Sequence, residues 1–258
     1  ATRCGLRVSL LKEEVQELAD AIKANDLVEI ADALADIQYV LSGAVLEFGL
    51  GGCFKLLFDE VQRSNMSKAC TTVEEAEATC SHYRSSNTEC DFEEVDGHYL
   101  VYRAGDKKAL KSVNYSTVNL KQYLSPGTPC SANFSEPDAL NSVMAFHNLF
   151  RCPVLAEPTI PDATRCALRV SLLREEVQEL EDAISENDLV EIADALADIQ
   201  YVLSGAVLEF GLGNLFKALF EEVQRSNMSK ACKTVEEAEA TCTHYRTKST
   251  ECDFEEVD

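Results

Sequence analysis

The chain has 258 residues, 46% of them apolar, and its 45 acidic against 23 basic side chains give a formal charge of −22. Such a surface excludes the nucleic-acid backbone as a partner, since binding it requires a cationic face. No apolar run approaches the ~20 residues of a membrane-spanning helix, and the length and apolar content suit one or two globular domains with their own cores.

Residues 1–96 recur as residues 163–258, a constant offset of 162, and only 14 of the 96 aligned positions differ. A period this long makes each unit a whole domain rather than one layer of a solenoid. Residues 97–162 occur once, so the sequence starts and stops out of phase with its own period and reads as a slice of a longer tandem array.

In chain order, Leu11, Val15, Leu18 and Ile22 space out one buried helical stripe, and no proline interrupts residues 2–24. Asn25 or Asp26 caps a second helix with the stripe Ile30, Leu34, Ile37 and Leu41, stopped at Phe48-Gly49. So short a turn makes the two helices antiparallel neighbours. A third helix is expected from Phe54 to about Arg63, and Thr72 with Glu75 forms a capping box for a fourth. The period then changes: residues 91–95 and 98–102 flank Asp96-Gly97, a type I′ hairpin signal, and Gly105-Asp106 precedes a further segment, Ala109 to Val113. A two- or three-stranded appendage is expected after each bundle. Residues 125–136 read as a linker, and Asp138 to Phe150 as a short amphipathic helix that opens the second unit. The expected units are 1–124, lacking its first helix, and 137–258, lacking its C-terminal hairpin and tail. Unit one would then expose an apolar groove, to be filled by a preceding repeat, a neighbouring molecule or the partner unit, and head-to-tail filling would propagate as a filament.

One period holds Cys4, Cys53, Cys70, Cys80, Cys90, Cys130 and Cys152, and Leu215 replaces Cys53 in the second copy. The remaining even set reads either as disulfides of an oxidising compartment or as reduced, buried thiols; absent any Cys-x-x-Cys pair, metal binding is disfavoured. Cys80 is expected to pair with Cys90, and Cys242 with Cys252, each pair closing a short polar loop. Sequons at Asn114 and Asn133 read as glycosylation candidates, while those at Asn65 and Asn227 fall inside another motif. Cysteines and sequons together favour an extracellular over a cytoplasmic location.

Glu14 and Glu17 lie three residues apart on one helical face, with Glu13 beside them, and Glu29, Asp32 and Asp36 do the same on the next helix. The second copy repeats the set as Glu175, Glu176, Glu179, Glu191, Asp194 and Asp198. In so acidic a chain, E-E-x-x-E alone reads as a solvated helix face. On antiparallel neighbours, however, these carboxylates converge in one groove and call for a hard cation. Arg63-Ser64-Asn65-Met66-Ser67-Lys68 then offers an amide and a lysine opposite the acids.

E-E-x-x-E, E-x-x-D and S-N-M-S-K in this order resemble the MazG-like all-α nucleoside triphosphate pyrophosphohydrolases, relatives of phosphoribosyl-ATP pyrophosphohydrolase and dimeric dUTPase. The likeness spans essentially each repeat, including Phe146-His147 with Pro153-Val154 and the run from Lys111 to Tyr115. It implies a mainly all-α fold of two tandem helical bundles, each with a small β-hairpin. It also implies Mg²⁺ or Mn²⁺ on Glu14, Glu17, Glu29 and Asp32, and on Glu176, Glu179, Glu191 and Asp194. Glu13 and Asp36, with Glu175 and Asp198, would support that ion or add a second. Lys68 and Lys230 would contact phosphate, and Asn65 and Asn227 the nucleoside. The implied reaction is attack between the α- and β-phosphates of a nucleoside triphosphate, releasing the monophosphate and pyrophosphate. In this family two or more subunits build each site, and here the tandem copies would form a pseudo-dimer. The cysteines, sequons and repetition point instead to a secreted, disulfide-bonded and glycosylated repeat protein that reuses the fold to build filaments.

Overall fold

The computed structural model describes residues 3–124 and 136–248. Repeat one folds as α1 (Arg3–Ala24), α2 (Leu27–Glu47), α3 (Phe54–Met66) and α4 (Val73–Ser85), then β1 (Cys90–Val95) and β2 (His98–Arg103), then the short α5 (Lys121–Leu124). The remainder is α6 (Ala139–Leu149), α7 (Ala163–Glu186), α8 (Leu189–Glu209), α9 (Phe216–Met228) and α10 (Val235–Thr247). The fold is mainly all-α, with one small antiparallel hairpin among the described residues.

The helix boundaries follow from local chemistry. Asn25 takes a left-handed conformation (φ 55°), which ends α1, and Asp26 then accepts hydrogen bonds from the Val28 and Glu29 amides, which starts α2. Asn187 and Asp188 repeat the device between α7 and α8. Gly49, at φ 71°, follows α2 as expected. Thr72 caps α4 through the Glu75 amide, while the Glu75 carboxylate reaches back to Thr71 rather than to Thr72 itself. At the hairpin tip Asp96 and Gly97 both have positive φ, as a type I′ turn demands.

The expected third strand is reduced to a single bridge between Tyr102 and Ala109. Beyond Leu110, whose amide still donates 2.8 Å to the Val101 carbonyl, the backbone donors turn elsewhere: the Ser112 amide to the Lys68 carbonyl and the Val113 amide to Thr79 Oγ1 on α4, each at 3.1 Å. The hairpin packs on α4 over Cys70, Ala76, Cys80, Cys90 and Val101. Cys80 and Cys90 are both free thiols, so the expected bridge is not formed. Cys90 Sγ instead lies 3.5 Å from the Cys80 carbonyl oxygen. Cys252 and residues 125–135 of the expected linker lie outside the described residues.

The stripes of α1, α2, α7 and α8 bury Leu11, Leu18, Leu34, Leu41, Leu173, Leu180, Leu196 and Leu203 in one continuous core drawn from both repeats. The third helices are exchanged across it, α3 lying on α8 and α9 on α2. At the centre Gln38 and Gln200, the same residue of each repeat, bond to each other through both amides at 2.9 and 2.8 Å. They mark a pseudo-twofold axis on which residue i meets residue i+162.

The symmetry fails at one face. α6 packs on α8 and α3, where Ala139 and Val143 meet Phe58 and Leu208. No described helix covers the matching face of α2, so Leu46 is 53% exposed although its counterpart Leu208 is 5% exposed. Leu208→Ala should therefore lower stability by about 2–5 kcal/mol, the cost of a core leucine. Leu46→Ala, the same change in the same helical sequence, should cost less than about 1 kcal/mol, as compared by urea denaturation of the two variants.

Candidate active site shared between the repeats

The side chains of the second acidic set stand on adjoining turns of α7 and α8. Glu176 follows the buried Leu173 and precedes the buried Val177, which brings it to the edge of the core stripe, half-buried, while Glu175 and Glu179 are exposed. On α8, Asp194, Asp198 and Tyr201 fall at i, i+4 and i+7 on one face, and Glu191 lies exposed at its start.

The opposite wall comes from repeat one. α3 delivers Asn65 and the loop behind it Lys68, whose Nζ donates 2.6 Å to Asn65 Oδ1 and stands 5.9 Å from the centroid of the Phe146 ring. The Ser112 amide donates 3.1 Å to the Lys68 carbonyl, which ties the loop carrying Lys111 and Tyr115 to the same wall. Tyr115 Oη lies 3.0 Å from Ser64 Oγ, and Lys111 Nζ lies 4.3 Å from the Tyr115 ring centroid. Between the walls is a cleft of about 540 Å³, closed by Phe146 and His147 of α6, a size that admits a small molecule.

The cleft is electrically strained in a consistent sense. Burial, then Asp198, Glu179, Glu175 and Asp194, push the Glu176 carboxyl up to about 8. Asp198 is pushed up to about 7 by burial, Asp194 and Glu179, with Lys68 pulling the other way. Asp194 rises to about 6 through burial and its neighbours Glu191 and Glu179. Burial, with Lys111 and Lys108 nearby, holds the Lys68 ammonium below its ordinary range. Groups that raise one another in this way face a common space, and a cation placed there would relieve all of them.

Among the described residues no three His, Cys, Asp or Glu side chains are drawn together closely enough to hold an ion. The carboxylates that line the cleft, Glu176, Asp194 and Asp198, nevertheless offer the oxygen ligands that a hard divalent cation takes.

The first set mirrors the second with less cover. Glu14 is pushed up to about 7 by burial, Asp36, Glu17, Glu13 and Asp32. Asp36 rises through burial, Asp32 and Glu17, and Lys230 of repeat two opposes the rise. Lys230 in turn donates 2.6 Å to Asn227 Oδ1. Each acidic face thus meets the Asn and Lys of the other repeat, and Glu13, Glu17, Glu29 and Asp32 are exposed. Asn114 is exposed, and Asn133 lies outside the described residues.

Several lining residues were not assigned to the site by sequence. Tyr201 Oη is buried at the cleft wall without a hydrogen-bond partner; its place one turn beyond Asp198, on the same face, was the available signal. His147 has its charged form disfavoured by burial. Its Nδ1 lies 2.9 Å from the Pro153 carbonyl oxygen and its Nε2 3.2 Å from Arg169, which fits a neutral ring donating at Nδ1. Arg169 and Arg165 both pair with Glu209, which is fully buried.

The family model of phosphoribosyl-ATP pyrophosphohydrolase matches residues 1–65 and 143–227, so it takes in α1 to α3 in one repeat and runs from α6 to α9 in the other. An uncharacterized protein of Acanthamoeba polyphaga mimivirus is 43% identical over 63 residues, which are 24% of this chain and 25% of that protein. The chain thus covers about a quarter of that relative's length. No solved structure matches. With both repeats matched, and more than half of the sequence between them, the chain belongs to the phosphoribosyl-ATP pyrophosphohydrolase family.

Proposed function

We propose that the chain is a divalent-metal-dependent nucleoside triphosphate pyrophosphohydrolase whose two clefts are each built by both repeats. The observation that carries this reading is the crossed arrangement, in which the mutually raised carboxyls of Glu176, Asp194 and Asp198 stand opposite Asn65 and Lys68 of the other repeat. Membership in a pyrophosphohydrolase family supports it. The alternative of a disulfide-bonded structural repeat gains nothing from Cys80 and Cys90, whose thiols are not joined.

Glu176, Glu179, Glu191 and Asp194 would hold Mg²⁺ or Mn²⁺, as would Glu14, Glu17, Glu29 and Asp32 in the mirror cleft. When bound, the ion supplies charge neutralisation to the triphosphate. Lys68 pairs with phosphate oxygens from the opposite wall, and Asn65 offers its amide to the nucleoside. Asp198, which lines the cleft with Lys68, would take the proton of an attacking water as its oxygen bonds to the α-phosphorus. The bond from that phosphorus to the bridging oxygen breaks, and pyrophosphate leaves with the electron pair. Asp36 holds the same position in the mirror cleft.

Purified protein with Mg²⁺ should release pyrophosphate from a nucleoside triphosphate, and Glu14→Gln with Glu176→Gln should abolish release while leaving the circular dichroism unchanged. A chain folded as before that turns over none of the common ribo- and deoxyribonucleotides with either metal would overturn the reading.

The crossed clefts give a sharper test. Glu176→Gln and Lys68→Ala disable one and the same cleft, so the double variant should retain the turnover of the more damaged single variant. Glu14→Gln with Lys68→Ala strikes both clefts and should remove turnover. The reverse pattern, turnover kept by Glu14→Gln with Lys68→Ala and lost by Glu176→Gln with Lys68→Ala, would mean that each cleft belongs to a single repeat.

Metal-free stability should depend on pH with a defined sign. Glu176 ionises near 8 when folded and near the ordinary 4.5 when unfolded, so it binds its proton more tightly in the folded chain. Its contribution is complete below about 4.5 and is lost as the pH rises through about 8. The melting temperature should accordingly fall between these limits in a chelator, and Glu176→Gln should flatten the slope, as followed by thermal denaturation.

A further inference from the structure

The groove that α6 fills beside α8 has a twin beside α2 that no described helix fills. On the filled side Ala139, Leu140 and Val143 seat against Phe58 and Leu208, and Tyr201 closes the edge. Gln62 donates 2.8 Å to the Ser142 carbonyl. The chain after α6 then follows the end of α8, the Leu155 amide bonding the Leu208 carbonyl and the Thr159 amide that of Phe210, both at 3.0 Å.

Each receiving side chain stands unchanged on the empty side at the 162-residue offset: Phe220, Leu46, Tyr39 and Gln224. The floor is preformed. Tyr39 and Phe220 rings lie 6.3 Å apart, as Tyr201 and Phe58 do at 6.0 Å, and Arg7 pairs with Glu47 as Arg169 does with Glu209. Only the cover differs: Leu46 is exposed, Gln224 is exposed, and the Arg7 side chain is 27% exposed against 7% for Arg169. An apolar cleft of about 420 Å³ runs beside them, past Leu41, Val45, Phe216 and Phe220.

We propose that this face of α2 and α9 is the docking site for a second copy of the chain's own 137–162 segment, supplied by another repeat of the same sequence. A bare apolar helix face marks an interaction site, and helix-in-groove binding is read from anchors spaced as Leu140, Val143 and Met144 are. The identity of the occupant rests on the receiving surface. It is, residue for residue, one that already binds this segment in the same molecule. The docked segment would also set a phenylalanine and a histidine against the Glu14 and Asp36 face, which now lacks the cover Phe146 and His147 give the other cleft.

The test reads binding, not turnover, so its outcome is separate from that of the enzymatic reading. A fluorescein-labelled peptide of residues 137–162 is titrated into the full chain under reducing conditions and followed by anisotropy. The expected result is saturable binding of one peptide per chain, weakened at least tenfold by Leu46→Glu. Val235→Glu, an exposed position on α10, should leave it unchanged. Because a short free helix is marginal in water, a second arm joins the same segment directly ahead of Ala1, the register in which Asp162 precedes Ala163. That chain should melt higher than the parent, gain hydrogen-exchange protection over residues 39–48, and lose both gains with Leu46→Glu. Leu46-dependent success of either arm supports the proposal. Failure of both, or gains indifferent to Leu46→Glu, overturns it, as does parent-chain dimerisation abolished by Leu46→Glu, which would assign the face to a whole second molecule.

Discussion

Two glutamines, 162 residues apart, hold each other's side chains at the centre of the molecule, and the remaining architecture depends on the axis they mark. On such an axis a residue meets its own counterpart, so the side chain there must be complementary to itself. An amide satisfies this, because it donates and accepts at once, whereas a carboxylate or ammonium would face its own charge. Gln38 and Gln200 also accept their own helices' Ser42 and Ser204 hydroxyls at the backbone, 2.9 and 2.8 Å away, so the pair is braced from behind. With α2 fixed against α8 in this register, α3 and α9 have one place each to lie, across the axis on the other repeat, and this placement brings Asn65 and Lys68 to acids they do not share a repeat with.

Covalent duplication has allowed the halves to drift apart where an obligatory pair of identical chains could not. Glu181 stands where repeat one has Ala19, and it forms an ion pair at 2.6 Å with Lys12 of α1. The reciprocal pair is impossible, and Arg174 turns instead to Gln16 at 2.9 Å. Both partners of the ion pair are about half exposed, so its energy is modest. Cys53 is buried ahead of α3, while Leu215, its counterpart, is 46% exposed ahead of α9. The change lies on the side that α6 leaves uncovered.

What could be read from sequence was whatever is decided within a few residues. The Asp26 cap, the Gly49 stop and the Asp96-Gly97 turn are all local, and each is where spacing placed it. Periodicity shows which face of a helix is buried but not by what. Leu34 and Leu196 read as the cores of two bundles, and they share one. The third strand was lost for a reason with no short-range signal, since the Ser112 amide went to the Lys68 carbonyl and the Val113 amide to Thr79 of α4, both more than thirty residues away. The acids were legible because a shared face repeats at three and four residues. Arg169 and His147 were not, because an arginine under a helix and a histidine beside a proline acquire meaning only when Glu209 and Pro153 are brought against them. Cys80 and Cys90 illustrate the limit of spacing: the loop length brought the sulfurs into one small core without making them a bond.

The crossed clefts have a consequence for concentration. In a dimer of separate chains, a site assembled from two partners disappears on dilution below the dissociation constant, and its abundance varies with the square of the protein present. Here both walls belong to one polypeptide, and the partner is held at an effective concentration fixed by the connecting chain rather than by the solution. Lys68 therefore meets Asp198 as a unimolecular event, and the number of assembled clefts scales in direct proportion to the number of molecules, however few there are.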